Sequence, residues 1–243
     1  SSPPPDGTPP NDSDSGSSSE VPKEEFTEDE LEALKLEADD LLEQGNIEEA
    51  ESYYEEALEL YNQAMEIYKR IGRTKGIIEA HRKIGRVYRC QGEYDKATKE
   101  YETSLKLSEE HNLFLFKADA LTGLGLVCNE KGDYPKAIEY LNQSLDTAQH
   151  IGDKFGESQN LGNLGLVYQN LGQYDKSIEY CKKALEISKQ IGDKRSEGIH
   201  LGNIGIVYSE LGQYENAIQY YKKALEIAKQ IGNKSSEGIN LGN

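Results

Sequence analysis

The sequence predicts an all-α chain folded as an α-solenoid, a stack of repeated antiparallel helix pairs. Three observations predict it. The 243-residue chain repeats itself, since residues 161 to 200 and 201 to 240 agree at 27 of 40 positions without a gap. Within a repeat the apolar residues recur at helical spacing, with Leu161, Leu164, Gly165 and Tyr168 at i, i+3, i+4 and i+7. The composition is thin in core formers, 36% hydrophobic and 29% charged with 23 Gly and no Trp. Such a chain suits an architecture in which each apolar stripe is buried only against its neighbours along the sequence, without one deep core.

Taken in order, residues 1 to 24 hold six of the seven Pro and seven Ser, with no aromatic, Leu or Ile. They cannot offset their ordering entropy and are predicted to be a disordered, acidic tail. Residues 25 to 73 form a divergent first repeat, with Gly45 read as its turn glycine. The 47 residues from Gly45 to Gly92 then imply a seven-residue insertion. It is assigned to the second helix, Ile47 to Ile71, which becomes about 25 residues and roughly 37 Å long. Regular units follow at 74–117, 118–157, 158–197 and 198–237, with turn glycines Gly92, Gly132, Gly172 and Gly212 in register. Residues 238–243 begin a sixth. The chain has no initiator Met and stops inside that unit, so it is expected to be a piece of a longer protein.

A second set of glycines, Gly85, Gly125, Gly165 and Gly205, falls inside the first helix of each pair. Interior helical Gly costs about 1 kcal/mol relative to Ala, so its recurrence implies close approach of the partner helix, with the small residues Ala97, Ala137, Ser177 and Ala217 expected opposite.

The net charge of −17 divides unevenly. Residues 1 to 60 carry 20 acids and two bases, whereas residues 61 to 243 carry 24 acids and 25 bases. A nucleic-acid-binding surface over the whole chain is not supplied by that count. No apolar run approaches the roughly 18 residues needed to span a bilayer, so membrane insertion is not expected. Three cysteines, Cys90, Cys128 and Cys181, lack any C-x-x-C spacing, which points to a reducing, cytoplasmic compartment.

The search for catalytic chemistry returns none. Gly123 and Gly125 begin a G-x-G whose third glycine position is Cys128. His81, His111, His150 and His200 occur without metal-ligand spacing and are read as solvated or capping residues. Cys128 and Cys181 stand where the neighbouring repeats have Tyr168 and Tyr221, as core fillers. No catalytic residue, metal or cofactor is assigned.

Candidate function therefore rests on a surface. The first helix of each pair lines the concave side of a stacked array. Its outward stripe carries Asn163, Leu166, Gln169 and Asn170 in the fourth unit, Asn203, Ile206 and Glu210 in the fifth, and Asn129 in the third. Asn offers donor and acceptor together, so such a column can hold a peptide backbone, or can tie adjacent repeats. Lys83 and Gly123 interrupt it. In the second unit Arg82, Lys83, Arg86 and Arg89 gather on one face, suited to carboxylate recognition or to neutralising the acidic first unit.

The pattern L-G-x-x-Y, then G-x-Y-x-x-A, then A-L resembles the tetratricopeptide repeat over about residues 27 to 243. The resemblance implies a right-handed superhelix. The 40-residue period, with I-G-D/N-K and E-G-x-x-L-G-N-L-G between units, is most similar to Pins-type G-protein-signalling modulators and kinesin light chains, in which Asn at this place contacts bound peptide. Where Pins-type proteins carry a groove Arg, this chain has Gln159, Ile199 and Ile239. The expected function is a non-catalytic scaffold or adaptor in signalling, binding a protein or peptide segment with acidic character near the arginines, with self-association possible through the uncapped last repeat. The alternative is the regulatory or recruiting part of a larger enzyme or signalling ATPase.

Overall fold

The computed structural model describes residues 26–240, and the side chains of residues 26–232. The expected tail at 1–24 and residues 241–243 of the sixth unit lie outside the described residues. Ten helices and no strand are found among the described residues: α1 (Glu28–Ala50), α2 (Tyr54–Arg70), α3 (Thr74–Cys90), α4 (Tyr94–Glu110), α5 (Phe114–Glu130), α6 (Tyr134–Ile151), α7 (Lys154–Asn170), α8 (Tyr174–Ile191), α9 (Lys194–Glu210) and α10 (Tyr214–Asn240). Each helix packs on the next in sequence, and odd-numbered helices also touch the next odd-numbered one. The chain is an all-α solenoid.

Chain reversal is built the same way at every corner. A residue in the left-handed region stands at each twentieth position: Ser52, Gly72, Gly92, Asn112, Gly132, Gly152, Gly172, Gly192 and Gly212. The amides around it close the turn on the preceding helix, as where Gln173 N donates to Tyr168 O and Gly172 N to Gln169 O, both at 2.8 Å. Glycine adopts that conformation without strain, and Ser52 and Asn112 show that a small polar residue serves too.

Those corners correct the expected first repeat. The longer helix is α1, with 23 residues, while α2 has 17. There is no insertion, because the turn residue is Ser52, forty before Gly92. Gly45 lies inside α1 and belongs to the series of Gly85, Gly125, Gly165 and Gly205. The extra length of α1 lies at its start, where Thr27 and Glu30 form a reciprocal capping box. Pairs also open at Phe114, Lys154 and Lys194, four residues before the expected starts of the third, fourth and fifth units, since the left-handed residues at 112, 152 and 192 fix the break.

The interior glycines do mark close approach, with a different partner from the one expected. A Cβ on Gly45 would lie 2.5 Å from the Tyr61 ring, and one on Gly125 would lie 2.7 Å from Leu141 Cγ. At Gly165 it would collide with Cys181 Sγ. The small residues opposite contribute only backbone, with Ala137 O at 3.4 Å and Ser177 O at 3.3 Å. The side chain four residues further along the second helix drops into the space the glycine leaves. Tyr61, Leu141 and Cys181 are fully buried in this way, and each such burial contributes about 1.5–3 kcal/mol for a large apolar side chain. Cys181 is thus the expected core filler, its thiol pushed up to about 11 by burial.

Candidate functional site

The odd-numbered helices contact one another from repeat to repeat, and the even-numbered ones do not. The stack therefore curves with α1, α3, α5, α7 and α9 on the inner arc. Residues forty apart on these helices form columns along that arc. One column reads Glu43, Lys83, Gly123, Asn163, Asn203, and the next reads Asn46, Arg86, Leu126, Leu166, Ile206.

At the α1–α3 end the columns are closed by internal pairing. Lys83 Nζ donates to Asn46 Oδ1 at 2.6 Å, and Arg86 Nη2 donates to Glu49 Oε2 at 2.6 Å. Tyr61 OH donates to the same carboxylate at 2.8 Å. Burial works against the Arg86 charge, and Glu49 more than offsets it, so the guanidinium is held ionised. Lys83 is buried, and burial followed by the nearby Arg82 lowers its pKa, with Glu79 opposing. Arg82 lies 3.6 Å from both Glu79 and Asp119, and Arg89 pairs with Glu130. Of the two uses expected for this cluster, neutralisation of neighbouring carboxylates is the one the geometry displays, and those carboxylates come from α1, α3 itself and α5.

Further along, two of the expected ligand residues also tie repeats. Asn170 Nδ2 donates to Asn129 Oδ1 at 2.9 Å, and Gln169 Nε2 to Glu210 Oε1 at 2.8 Å. Asn163 and Asn203 differ. Each is half-buried and makes no side-chain hydrogen bond among the described residues, and Leu166 and the exposed Ile206 stand beside them. Ile199 adds another exposed apolar group on α9. Gly123 breaks the Asn column for a packing reason, since a Cβ there would collide with the Tyr101 ring. Leu126 completes the apolar column and was missed; its signal was the forty-residue register with Leu166 and Ile206.

The histidine reading needs correction at two positions. His200 is buried and its Nε2 lies 3.1 Å from Ser158 Oγ, while half-buried His81 Nδ1 lies 2.6 Å from Glu100 Oε2. Both face neighbouring helices, because their positions on α9 and α3 lie on the packed side. His111 is the C-cap of α4, as expected of a capping residue. Among the described residues no three His, Cys, Asp or Glu side chains form a metal-holding group, and no helix is long and apolar enough to cross a membrane.

Stacked helix pairs with an inner face partly left without internal partners define an α-solenoid of the binding-array class. The chain belongs to the tetratricopeptide repeat family, whose profile matches residues 54–110 and 156–230, more than half of its length; related repeat profiles match 41–64 and 120–155. No curated protein matches the chain. Among solved structures it is similar to BtubC (BKLC) from P. vanneervenii, at 19% identity over 83% of this chain and 92% of that one, with a TM-score of 0.65. A Rap protein complexed with Competence and Sporulation Factor gives 17% identity, 83% and 58% coverage and a TM-score of 0.73. A Podosopora anserina putative kinesin light chain with TPR-like repeats gives 16%, 79% and 95%, and 0.60. At these identities the likeness is one of fold. The chain spans 58% of that Rap protein's length.

Proposed function

We propose that the chain is a protein-interaction scaffold that holds an extended or partly helical segment of a partner against α7 and α9. The observation that carries the reading is the pair Asn163 and Asn203. They occupy one column, make no side-chain hydrogen bond among the described residues, and are flanked by Leu166 and Ile206. Asn side chains at repeat spacing can donate to and accept from a peptide backbone, while the apolar neighbours receive its side chains. The fold likeness to the Rap conjugation gene regulator of the plasmid pLS20 in complex with the Phr* peptide supports a peptide as the kind of ligand. The arginine end supports an acidic ligand less, since such a ligand would have to displace Glu49, Asp119 and Glu130 from Arg86, Arg82 and Arg89. The groove would serve equally as the recruiting surface of a larger enzyme, and in either setting the array is the non-catalytic part.

The test is the double variant Asn163→Ala, Asn203→Ala in a partner pull-down. Binding is expected to fall while the thermal midpoint holds. Unchanged binding would remove the groove assignment, and a large drop in midpoint would show that the two Asn serve the fold.

A further inference from the structure

The stack begins at α1 in a way that leaves its first cleft open. Gly72, Asn112, Gly152 and Gly192 reverse the chain just before α3, α5, α7 and α9, whereas Glu32, in register with them, lies inside α1. Among the described residues no helix pair therefore leads in register into α1, and its outer side has no neighbour of its own kind. Ile47 shows the result: it is 55% exposed, while Val87, Val127, Val167 and Val207 at the same position are at most 1% exposed.

Inside the array such a cleft is closed on both sides. In the fourth unit Glu157 and Leu161 of α7 line it with Glu186 and Ile187 of α8, and Leu145 and Gln149 of α6 wall its other side. Across it Gln149 Nε2 donates to Glu157 Oε1 at 2.9 Å. Their counterparts three repeats earlier, Glu37 and Leu41 of α1 with Glu66 and Ile67 of α2, line a groove of about 660 Å³ that lacks the second wall. Leu41 is half-buried there, whereas Leu121, Leu161 and Leu201 are at most 6% exposed. The rim of this open groove has one sign of charge. Glu37, Glu59 and Glu66 border it, and Gln63 stands where the fourth unit has Lys183. Glu66 meets Lys69 at 2.7 Å, but the exposed Glu37 has no partner among the described residues. Together α1 and α2 carry fourteen acids and three bases.

We infer that this groove is the docking site for one basic amphipathic helix of a partner protein, seated on α1 and beside α2 as α6 is seated on α7 and beside α8. The helix brings a leucine-type residue to the Leu41 and Ile67 floor and, four positions later, a Lys or Arg to Glu37, which is the spacing of Leu145 and Gln149 in the closed cleft. Further bases along its flank face Glu59 and Glu66. Charge decides the occupant, because potentials of opposite sign favour a partner and like charges disfavour it. Residues 1 to 25 carry six acids and one Lys, with no Leu, Ile or Met, so this chain's own first segment has the wrong sign and offers no leucine. A second copy presenting the same end would bring acid against acid. The site is separate from the inner face of α7 and α9.

The probe is a fluorescein-labelled synthetic peptide with the sequence of residues 134–151 carrying Glu139→Lys, Asp146→Lys and Gln149→Lys, titrated into the whole chain and read by anisotropy. It keeps Leu145 and has a base four positions on. Saturable binding is expected, weakening as salt rises. Glu37→Lys, which reverses an unpaired exposed carboxylate, and Gln63→Trp, which fills the groove from an exposed position, should each weaken it at least about fivefold. Glu51→Lys, the same charge change beyond the other end of α1, and the Asn163→Ala, Asn203→Ala variant should bind the probe as the unaltered chain does. No saturable binding, or unchanged binding by either Glu37→Lys or Gln63→Trp, overturns the proposal. An equal loss with Glu51→Lys also overturns it, because net charge alone would then be drawing the probe. So does sedimentation showing a dimer that Glu37→Lys converts to monomer, because the groove would then belong to a second copy.

Discussion

Replacing Gly165 by Leu forces a side chain into space that Cys181 already fills. The new Cβ would collide with Cys181 Sγ and sit 3.3 Å from Ser177 O and 3.5 Å from Cys181 N. Cys181 and Ser177 are both 0% exposed, so neither sulfur nor backbone has solvent to move into. Overpacking of this kind costs about 1–3 kcal/mol, offset by less than about 1 kcal/mol because Leu suits a helix better than Gly. The net loss is on the order of 1–2 kcal/mol. Gly202 is the internal control. It too lies within a first helix, but a Cβ there meets nothing within 4 Å, so Gly202→Leu keeps only the propensity term and should gain up to about 1 kcal/mol. Urea titration followed by circular dichroism measures both. With a slope of about 2 kcal/mol per molar, Gly165→Leu should lower the midpoint by roughly 0.5–1 M and Gly202→Leu should leave or raise it. A neutral Gly165→Leu would mean that this glycine faces open space and that the helix phase assigned to α7 is wrong. Equal losses at both sites would mean that local contact is not what the interior glycines serve.

Two further outcomes follow from charges. Burial lowers the His200 pKa below its ordinary 6.5, with Asp193 opposing, and its Nδ1 is buried without a partner among the described residues. The unfolded chain therefore binds the proton first, and the contribution of neutral His200 to stability is full above pH 6.5 and falls as the pH drops below it, by at most about 1.4 kcal/mol per pH unit. Titrating stability from pH 8 to 5 should show a steeper decline for the native chain than for His200→Asn, and parallel curves would refute it. Deleting residues 1 to 25 removes Asp6, Asp12, Asp14, Glu20, Glu24 and Glu25. Because Arg82, Arg86 and Arg89 already face Asp119, Glu49 and Glu130, calorimetry with an acidic peptide should give the same affinity with and without the tail at low and high salt. A gain at low salt alone would show the tail screening those arginines.

The fold was legible because its period is longer than any local ambiguity: forty residues recur at 27 identities, and the helix pattern inside each unit is resolved by comparison with the next. What misled was treating glycine as the only mark of a turn. Gly45 looked like one because Ser52, the residue that does adopt a positive φ of 67°, has no glycine signature. Small polar residues pay little for the left-handed region, so a turn can lose its glycine while a packing glycine seven residues earlier is kept. The site was legible by column and illegible by partner. Asn163 and Asn129 are the same residue type on the first helices of neighbouring repeats, yet only one is tied, because Asn129 lies at the helix end where the neighbour's Asn170 reaches it. That spacing of forty-one, shared by Arg89 with Glu130 and Gln169 with Glu210, is a register signal that single-repeat inspection does not reveal.

Stability in a solenoid is a sum of repeat terms and nearest-neighbour interface terms, so a change at one seam is felt by both repeats that share it. At the seam between α7 and α9, His200 meets Ser158 and fills the Gly162 notch. The repeat that supplies His200 also supplies Asn203 and Ile206 to the inner face. Acidification acting on His200 would therefore loosen the element on which half of the proposed groove depends. By linkage, a ligand that binds Asn203 only while that element is closed stabilises the closed form, and its own affinity should fall as the pH drops through the range in which His200 takes up a proton.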